Sequence, residues 1–285
     1  MTTAVRDDTL TTAHRLFGLT VRSSLPLPLP TLDDSPAPDV EIVRGRVRSG
    51  REVICRFDAP PFCCTRTATS IVLAWSGMRF DVAPDRVVVD TVAAEAAVIP
   101  LMQAAWSVVL SARGREALHA SVVARDGTAV GICGPSGSGK STAALAMLDA
   151  GWSLVSDDLL TLDDDGRVVP GPPFIRLLPD RAAGRAGAWD ASGKLRHAPA
   201  VVGQPVRLGA LLVHAEAYHA IQRLSPVAAV EALLDNIYND VLMHHGQALR
   251  RLDFALALAR QVPVYGVPPR SLTVNSIAQL AGASR

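Results

Sequence analysis

The chain lacks a charge of one sign. Its 28 Lys and Arg against 27 Asp and Glu leave a net charge of +1 over 285 residues. No broad positive field invites nucleic acid or anionic lipid, so no nucleic-acid partner is expected. Aromatics are scarce at 5%, and Trp75, Trp106, Trp152 and Trp189 fall at no spacing that suggests stacking on bases; they read as core or loop anchors. Cysteine is thin as well. Cys55, Cys63, Cys64 and Cys133 show no paired metal-ligand spacing, and the adjacent pair suits a disulfide poorly, so all four read as thiols in a reducing compartment. The opening stretch "MTTAVRDDTLTTAHR" is polar and acid-bearing, unlike a secretory signal; a cytoplasmic location is the expectation. Long apolar runs are missing except over 92–112, which Glu95, Pro100 and Gln103 interrupt. That run predicts a buried core helix and no membrane partner. His244 and His245 resemble a metal pair only superficially and read as a solvated helix end.

What is present is a globular composition, 49% hydrophobic and 19% charged, long enough for one large domain or two smaller ones. Up to about residue 92 the apolar period is two: "PDVEIVRGRV", "EVICRF", "SIVLAW" and "MRFDVAPDRVVVDTV" read as strands, the last with a turn over 83–86. The Pro-rich stretch over 24–39 reads as an extended surface crossover, because alternate prolines forbid a helix. After the apolar helix, strands and helices alternate. "ALHASVVA" and "TAVGIC" read as strands joined by "RDG", followed by a helix over 141–150, the strand "WSLVS", a "DDDG" turn and extended "PFIRLLP". Residues 180–205 show no sustained period and read as a long loop that closes over substrate. A strand "LGALLVHA", helices over 227–240 and 247–261, a strand "VPVYGV" and a last helix complete an α/β pattern.

The strongest signal is "GPSGSGKS" over 134–141. It fits G-x-x-x-x-G-K-[ST] at Gly134, Gly139, Lys140 and Ser141, a match expected by chance in about 1% of chains this long, and a strand precedes it while a helix follows. The glycines let successive N–H groups point inward to form a nest for phosphate oxygens. The following helix adds its positive end. Gly134, Pro135, Ser136, Gly137, Ser138, Gly139, Lys140, Ser141 and Thr142 are therefore the candidate ATP-binding residues, with Lys140 for the β- and γ-phosphates and Ser141 for Mg²⁺. Behind the loop, "SLVSDD" over 153–158 runs a short strand into two adjacent carboxylates, Asp157 and Asp158. At the carboxyl edge of such a sheet one acid can hold Mg²⁺ and the other can take a proton from an attacking hydroxyl. Simple hydrolysis would need one metal-organising acid and a water-positioning group.

The run over 119–158, "HASVVARDGTAVGICGPSGSGKSTAALAMLDAGWSLVSDD", resembles the catalytic core of the HPr serine kinase/phosphorylase family, in which a histidine precedes the loop and two aspartates follow a short helix and a glycine. The corresponding residues are His119, Gly151 and Asp157–Asp158. The N-terminal β part resembles the extension of HPr-kinase-like proteins found with lasso-peptide biosynthesis genes. The resemblance implies an α/β P-loop kinase core of HPr-kinase type, with a central mixed sheet flanked by helices over 114–285, behind a small β-rich N-terminal part over 1–113. It implies a Mg²⁺- and ATP-dependent serine kinase acting on a small protein or peptide, such as a lasso-peptide precursor. Within it Asp157 is expected as general base, Ser141 and Asp158 as metal partners, and His119, Lys140 and Arg176 as supports for transition-state charge. Adjacency does not give side-chain direction, so the two aspartates could exchange roles. The chain departs from the family at Thr142, where Glu is frequent, and at Phe174–Ile175, where an acid precedes the arginine of a Glu-Ile-Arg-Gly stretch tied to phosphorolysis. The forward reaction is thus implied better than the reverse. A small-molecule kinase and a non-catalytic ATP-binding regulator are the alternatives.

Overall fold

The computed structural model describes residues 12–34, 36–47, 55–59, 62–75, 77–238, 245–268 and 271–282. The chain divides into two compact units, Met1–Gly114 and Arg115–Arg285.

The first unit carries an eight-stranded sheet. The strands expected from the period-two pattern form as Val40–Arg44, Cys55–Ala59, Ile71–Trp75, Met78–Val82 and Arg86–Thr91, with residues 52–54 outside the described set. Three further strands, Thr12–Leu16, Leu19–Ser23 and Phe62–Arg66, come from stretches too short or too polar to betray themselves. The first two form a hairpin turned at Phe17 and Gly18, whose φ of 47° and 78° are the left-handed pair that a two-residue hairpin turn demands. The Pro-rich stretch joins two parallel neighbours, Leu19–Ser23 and Val40–Arg44. Its extended period of two drives Leu25, Leu27 and Leu29 into the core, while Pro26 and Pro30 face solvent.

The apolar run forms a helix of 19 residues, Ala94–Ala112, with mean hydropathy 1.4 and 61% of that window buried inside the protein. Length and composition alone would let it cross a membrane, but protein already covers Leu101, Met102, Ala105 and Trp106. Pro100 has no N–H to complete the α ladder, and Leu101–Ala105 widens into a π turn before α geometry resumes at Trp106.

The second unit is α/β. Its seven-stranded sheet runs in the order Ser153–Ser156, Ala120–Arg125, Thr128–Cys133, Val206–His214, Val264–Val267 and Gln222–Arg223, with Arg167–Val168 paired to Val206–His214. Both faces are covered, so its central strands read as continuous apolar runs. Val123, Val130, Ile132 and Leu212 pack with Ala144, Met147 and Ile277 of the helices Lys140–Asp149 and Val274–Gly282. Val122, Ala129, Val155, Leu211 and Val213 pack on the other face with Leu233, Ala255 and Leu258, from the helices Pro226–Leu234 and His245–Gln261. Thr128–Cys133 is parallel to Val206–His214, whereas Ala120–Arg125 is antiparallel to both Thr128–Cys133 and Ser153–Ser156. The ends of three strands, Cys133, Ser156 and His214, thereby reach one sheet edge, where Ala120–Arg125 begins.

Two sequence expectations need correction here. Residues 180–205 are not a structureless loop: Pro179–Ala182 is a helical turn, and Ala188–Trp189 and Leu195–His197 make a three-stranded sheet with Ile175–Leu177. Strands of two or three residues are too short to register a period, and Asp190 supplies the turn by accepting from the N–H groups of Ser192 and Lys194. The helix expected over 227–240 ends at Leu234. His244 lies outside the described residues, as does the stretch 1–11 of the N-terminus, and His245 opens the last long helix.

Candidate functional site

The edge arrangement puts the loop's chemistry together. Thr128–Cys133 delivers the chain to Gly134, whose φ of 144° brings the backbone against its neighbours. A Cβ there would stand 2.8 Å from His214 Cβ and 2.9 Å from Ser138 Oγ, so only glycine fits. Gly137 and Gly139 take φ of 82° and 100°, and Gly139 is the N-cap of the helix Lys140–Asp149. This is the backbone of an anion nest: left-handed glycines ending at a helix N-terminus. Ser138 Oγ is buried with no hydrogen-bond partner, a donor fit for a phosphate oxygen. Pro135, Ser136 and Gly137 are exposed at the tip, and Thr142 turns to solvent.

Lys140 is buried, and its Nζ curls back to donate to the carbonyls of Gly134 (2.7 Å) and Pro135 (3.0 Å). Burial pulls its pKa down, and the charges of Asp158 and Asp157 oppose that pull. The side chain thus spans the mouth of the nest on weak carbonyl acceptors, which a phosphate would replace with better ones.

The two aspartates occupy different environments. Asp157 is buried; its Oδ1 accepts from Ser121 Oγ at 2.6 Å and from the loop's own Ser141 Oγ at 3.4 Å, and its Oδ2 accepts from the Arg176 N–H at 3.1 Å. Burial first, then the charge of Asp158, pushes its pKa up to about 6, against the hydrogen bond from Ser121. Asp158 sits in the left-handed region at φ 70° and is more open. Its oxygens face His119 Nε2 at 3.7 Å and Arg176 Nη1 at 3.6 Å. Burial raises its pKa, but the nearby His119 ring and the charge of Arg176 outweigh it, so the net direction is down.

The sequence-predicted residues His119, Lys140, Ser141, Asp157, Asp158 and Arg176 therefore gather at one edge. Ser141 Oγ has Asp157 Oδ1 at 3.4 Å, so the acid beside the loop serine is the one expected as general base. The reason is the strand's pleat, which sends the first acid under the loop helix and the second, after the backbone turns left-handed, toward His119.

Several partners left no sequence signal. Ser121 reaches Asp157 across paired strands. Arg176 is held by Asp190 (Nε to Oδ2, 2.8 Å) and by Ser192 Oγ (2.8 Å), so an acid meets the arginine from fourteen residues on instead of from the position just before it. Lys194 and Arg196, which the sequence did offer as loop cations for a substrate phosphate or an acidic peptide, part company: Lys194, in the same turn, adds its charge near Asp158, whereas Arg196 lies over the Phe174 ring at 5.8 Å. Tyr238 meets His119 edge-on at 5.4 Å, and burial raises the pKa of its phenol. His119 is also pinned by its own N–H, which donates to the Asn236 carbonyl at 2.7 Å.

No family model and no curated protein matches the chain. Solved structures do match; one is the Hpr(Ser) kinase/phosphatase from Coxiella burnetii, at 16% identity and a TM-score of 0.33, over 59% of this chain and 88% of that one. At that identity and score the likeness carries no weight for activity, which rests on the loop and the carboxylates.

Proposed function

We propose that the protein is a Mg²⁺- and ATP-dependent kinase that phosphorylates a serine hydroxyl of a small protein or peptide, such as a lasso-peptide precursor. The observation that carries this reading is a division of labour between adjacent acids: one is buried against the loop serine, and the other opens toward a histidine and an arginine.

Among the described residues no group of three or more His, Cys, Asp and Glu stands ready to hold a metal. That suits Mg²⁺, which takes one or two protein oxygens and completes its shell with phosphate and water. Ser141 and Asp157 would hold it, in exchange for the sequence-based assignment to Asp158. When bound, the ion neutralises charge on the phosphate oxygens. The loop N–H groups and Lys140 bind and orient the triphosphate. Asp158 accepts the proton of the acceptor hydroxyl as its oxygen bonds to the γ-phosphorus and the bond to the bridging oxygen breaks, releasing ADP. His119 orients Asp158. Arg176, held in turn by Asp190 and Ser192, meets the charge of the group in flight.

Incubation with γ-labelled ATP tests the reading. Label in phosphoserine of a peptide acceptor supports it. Label found only in a metabolite, only as free phosphate, or nowhere sinks it in favour of a small-molecule kinase, an ATPase or a nucleotide-binding regulator respectively.

A further inference from the structure

The hairpin of Ala188–Trp189 and Leu195–His197 carries a cation to which the mechanism above gives no task. Its ladder pairs Ala188 with Arg196 and Trp189 with Leu195. The next pair is Asp190 with Lys194, where the Asp190 N–H donates to the Lys194 carbonyl at 2.8 Å. Residues directly opposite on an antiparallel ladder project to one face, and alternate residues along each strand share it. Leu177 and Leu195, paired across the small sheet, point into the core. Arg176, Arg196, Asp190 and Lys194 therefore occupy the other face. Asp190 shows where that face looks, because its carboxylate meets Arg176 Nε at 2.8 Å, and Arg176 in turn faces Asp158. Lys194 thus leaves the hairpin on the side of the reactive edge.

The acid opposite Lys194 is not its partner. Asp190 Oδ2 is committed to Arg176, and Oδ1 accepts from the N–H and Oγ of Ser192 and from the N–H of Lys194. Among the described residues no carboxylate stands within ion-pair distance of the Lys194 ammonium, and the side chain is half-buried. Its charge still reaches two groups of the site: it helps to hold the pKa of Asp158 down, and it opposes the charge of Lys140. Two ammonium groups close enough to disfavour each other are costly unless an anion stands between them. The nest beside Lys140 is built for such an anion.

We propose that Lys194 binds the γ-phosphate of the nucleotide held by the loop, as a second cation beside Lys140. This rests on the loop's reading as an ATP site, and it adds the residue that tells a triphosphate from a diphosphate. Lys140 serves the β- and γ-phosphates together. Lys194, on the side of Asp158, meets only the last phosphate, the group that travels to the acceptor hydroxyl.

The test is calorimetric titration of the full chain, with Mg²⁺, by ADP and by β,γ-imido-ATP, which keeps the third phosphate and cannot transfer it. Lys194→Met should weaken the imido analogue roughly tenfold or more, the scale of one hydrogen bond to a charged group, and leave ADP affinity unchanged. Lys194→Arg restores the charge and should recover most of the loss. Arg196→Met, on the same face but turned onto Phe174, should leave both affinities as in wild type. The Lys194 ammonium has no ion pair to break, so Lys194→Met should fold, and an unchanged melting temperature verifies it. Equal losses for both nucleotides, no loss for either, no recovery in Lys194→Arg, or a like loss in Arg196→Met overturns the proposal. A wild type that binds neither nucleotide overturns it together with the ATP reading. Label transfer from ATP is measured separately. A triphosphate-selective loss without transfer keeps the assignment of Lys194 and sinks the kinase reading, whereas transfer with no selective loss does the reverse.

Discussion

The two units handle awkward residues differently. In the N-terminal unit left-handed residues serve turns, as at Phe17 and Gly18, and several buried polar groups are satisfied locally, His14 by the Pro30 carbonyl, Ser23 by Leu25 and Ser107 by Ala104, while Trp106 Nε1 is buried without a hydrogen-bond partner. In the C-terminal unit several such features stand at one sheet edge. Asp158 is left-handed between a strand end and Leu159, a carboxylate (Asp157) and a lysine (Lys140) are withdrawn from water, and Ser138 and His214 keep unpartnered polar atoms. A buried acid, a buried lysine and a left-handed aspartate at one edge are costly to fold, which supports the proposed site there. The N-terminal sheet keeps left-handed residues to its turns and is expected to act as a scaffold.

The comparison breaks most sharply at Asp158. With Asp158 as the base, Asp158→Asn should cut turnover by about 10²–10⁴-fold while Mg·ATP affinity stays near wild type. Asp157→Asn should weaken Mg²⁺ dependence as well as turnover. A phosphoserine assay beside calorimetric titration of Mg·ATP reads both, and the opposite pattern restores the sequence-based assignment of base and metal partner. Neither variant changing turnover tenfold would end the kinase mechanism altogether.

A core residue of the first unit should behave in the opposite way. Leu73 is fully buried in the N-terminal sheet, and Leu73→Ala should remove about 2–5 kcal/mol of stability in denaturant titration. In the folded protein Mg·ATP affinity should be unchanged. A loss of nucleotide affinity larger than threefold would mean that the sheet is no mere scaffold.

The same division decides what was legible in the sequence. Positions fixed by backbone geometry, such as Gly134 and Gly139, could be read directly, because few residues meet their φ values. So could the two-faced sheet, whose apolar runs need no long-range knowledge. Hidden were groups that join the site through pairing between distant segments: Ser121 across an antiparallel ladder, Asp190 in the turn after a two-residue strand, Tyr238 beside His119. Each is ordinary in its own sequence neighbourhood. The directions in which Asp157 and Asp158 point belong to this class too, because a strand's pleat is set by register and not by the order of letters.

The smallest effect expected is the most telling about the edge. Asp157 has its pKa pushed up to about 6, by burial and then by Asp158, against an ordinary carboxylate value near 4. The folded protein therefore holds this proton more tightly than the unfolded chain. Stability contributed by the group is fully present below about pH 4, falls as pH rises to about 6, and stays lost above it. Asp157→Asn cannot ionise, and its amide can turn so that the carbonyl accepts from the Arg176 N–H while its NH₂ donates to Ser121 Oγ. In chelator, without nucleotide, the variant should match wild type near pH 4 and exceed it by about 1–3 kcal/mol at pH 7, read as a higher denaturation midpoint. Adding Mg·ATP should narrow the gap, since only the wild-type carboxylate gains a cation. A gap independent of pH would place the cost in packing and not in charge. A wild type more stable than the variant at pH 7 without metal would mean that the carboxylate is satisfied by its three donors, and that this edge carries no more strain than the hairpins of the N-terminal sheet.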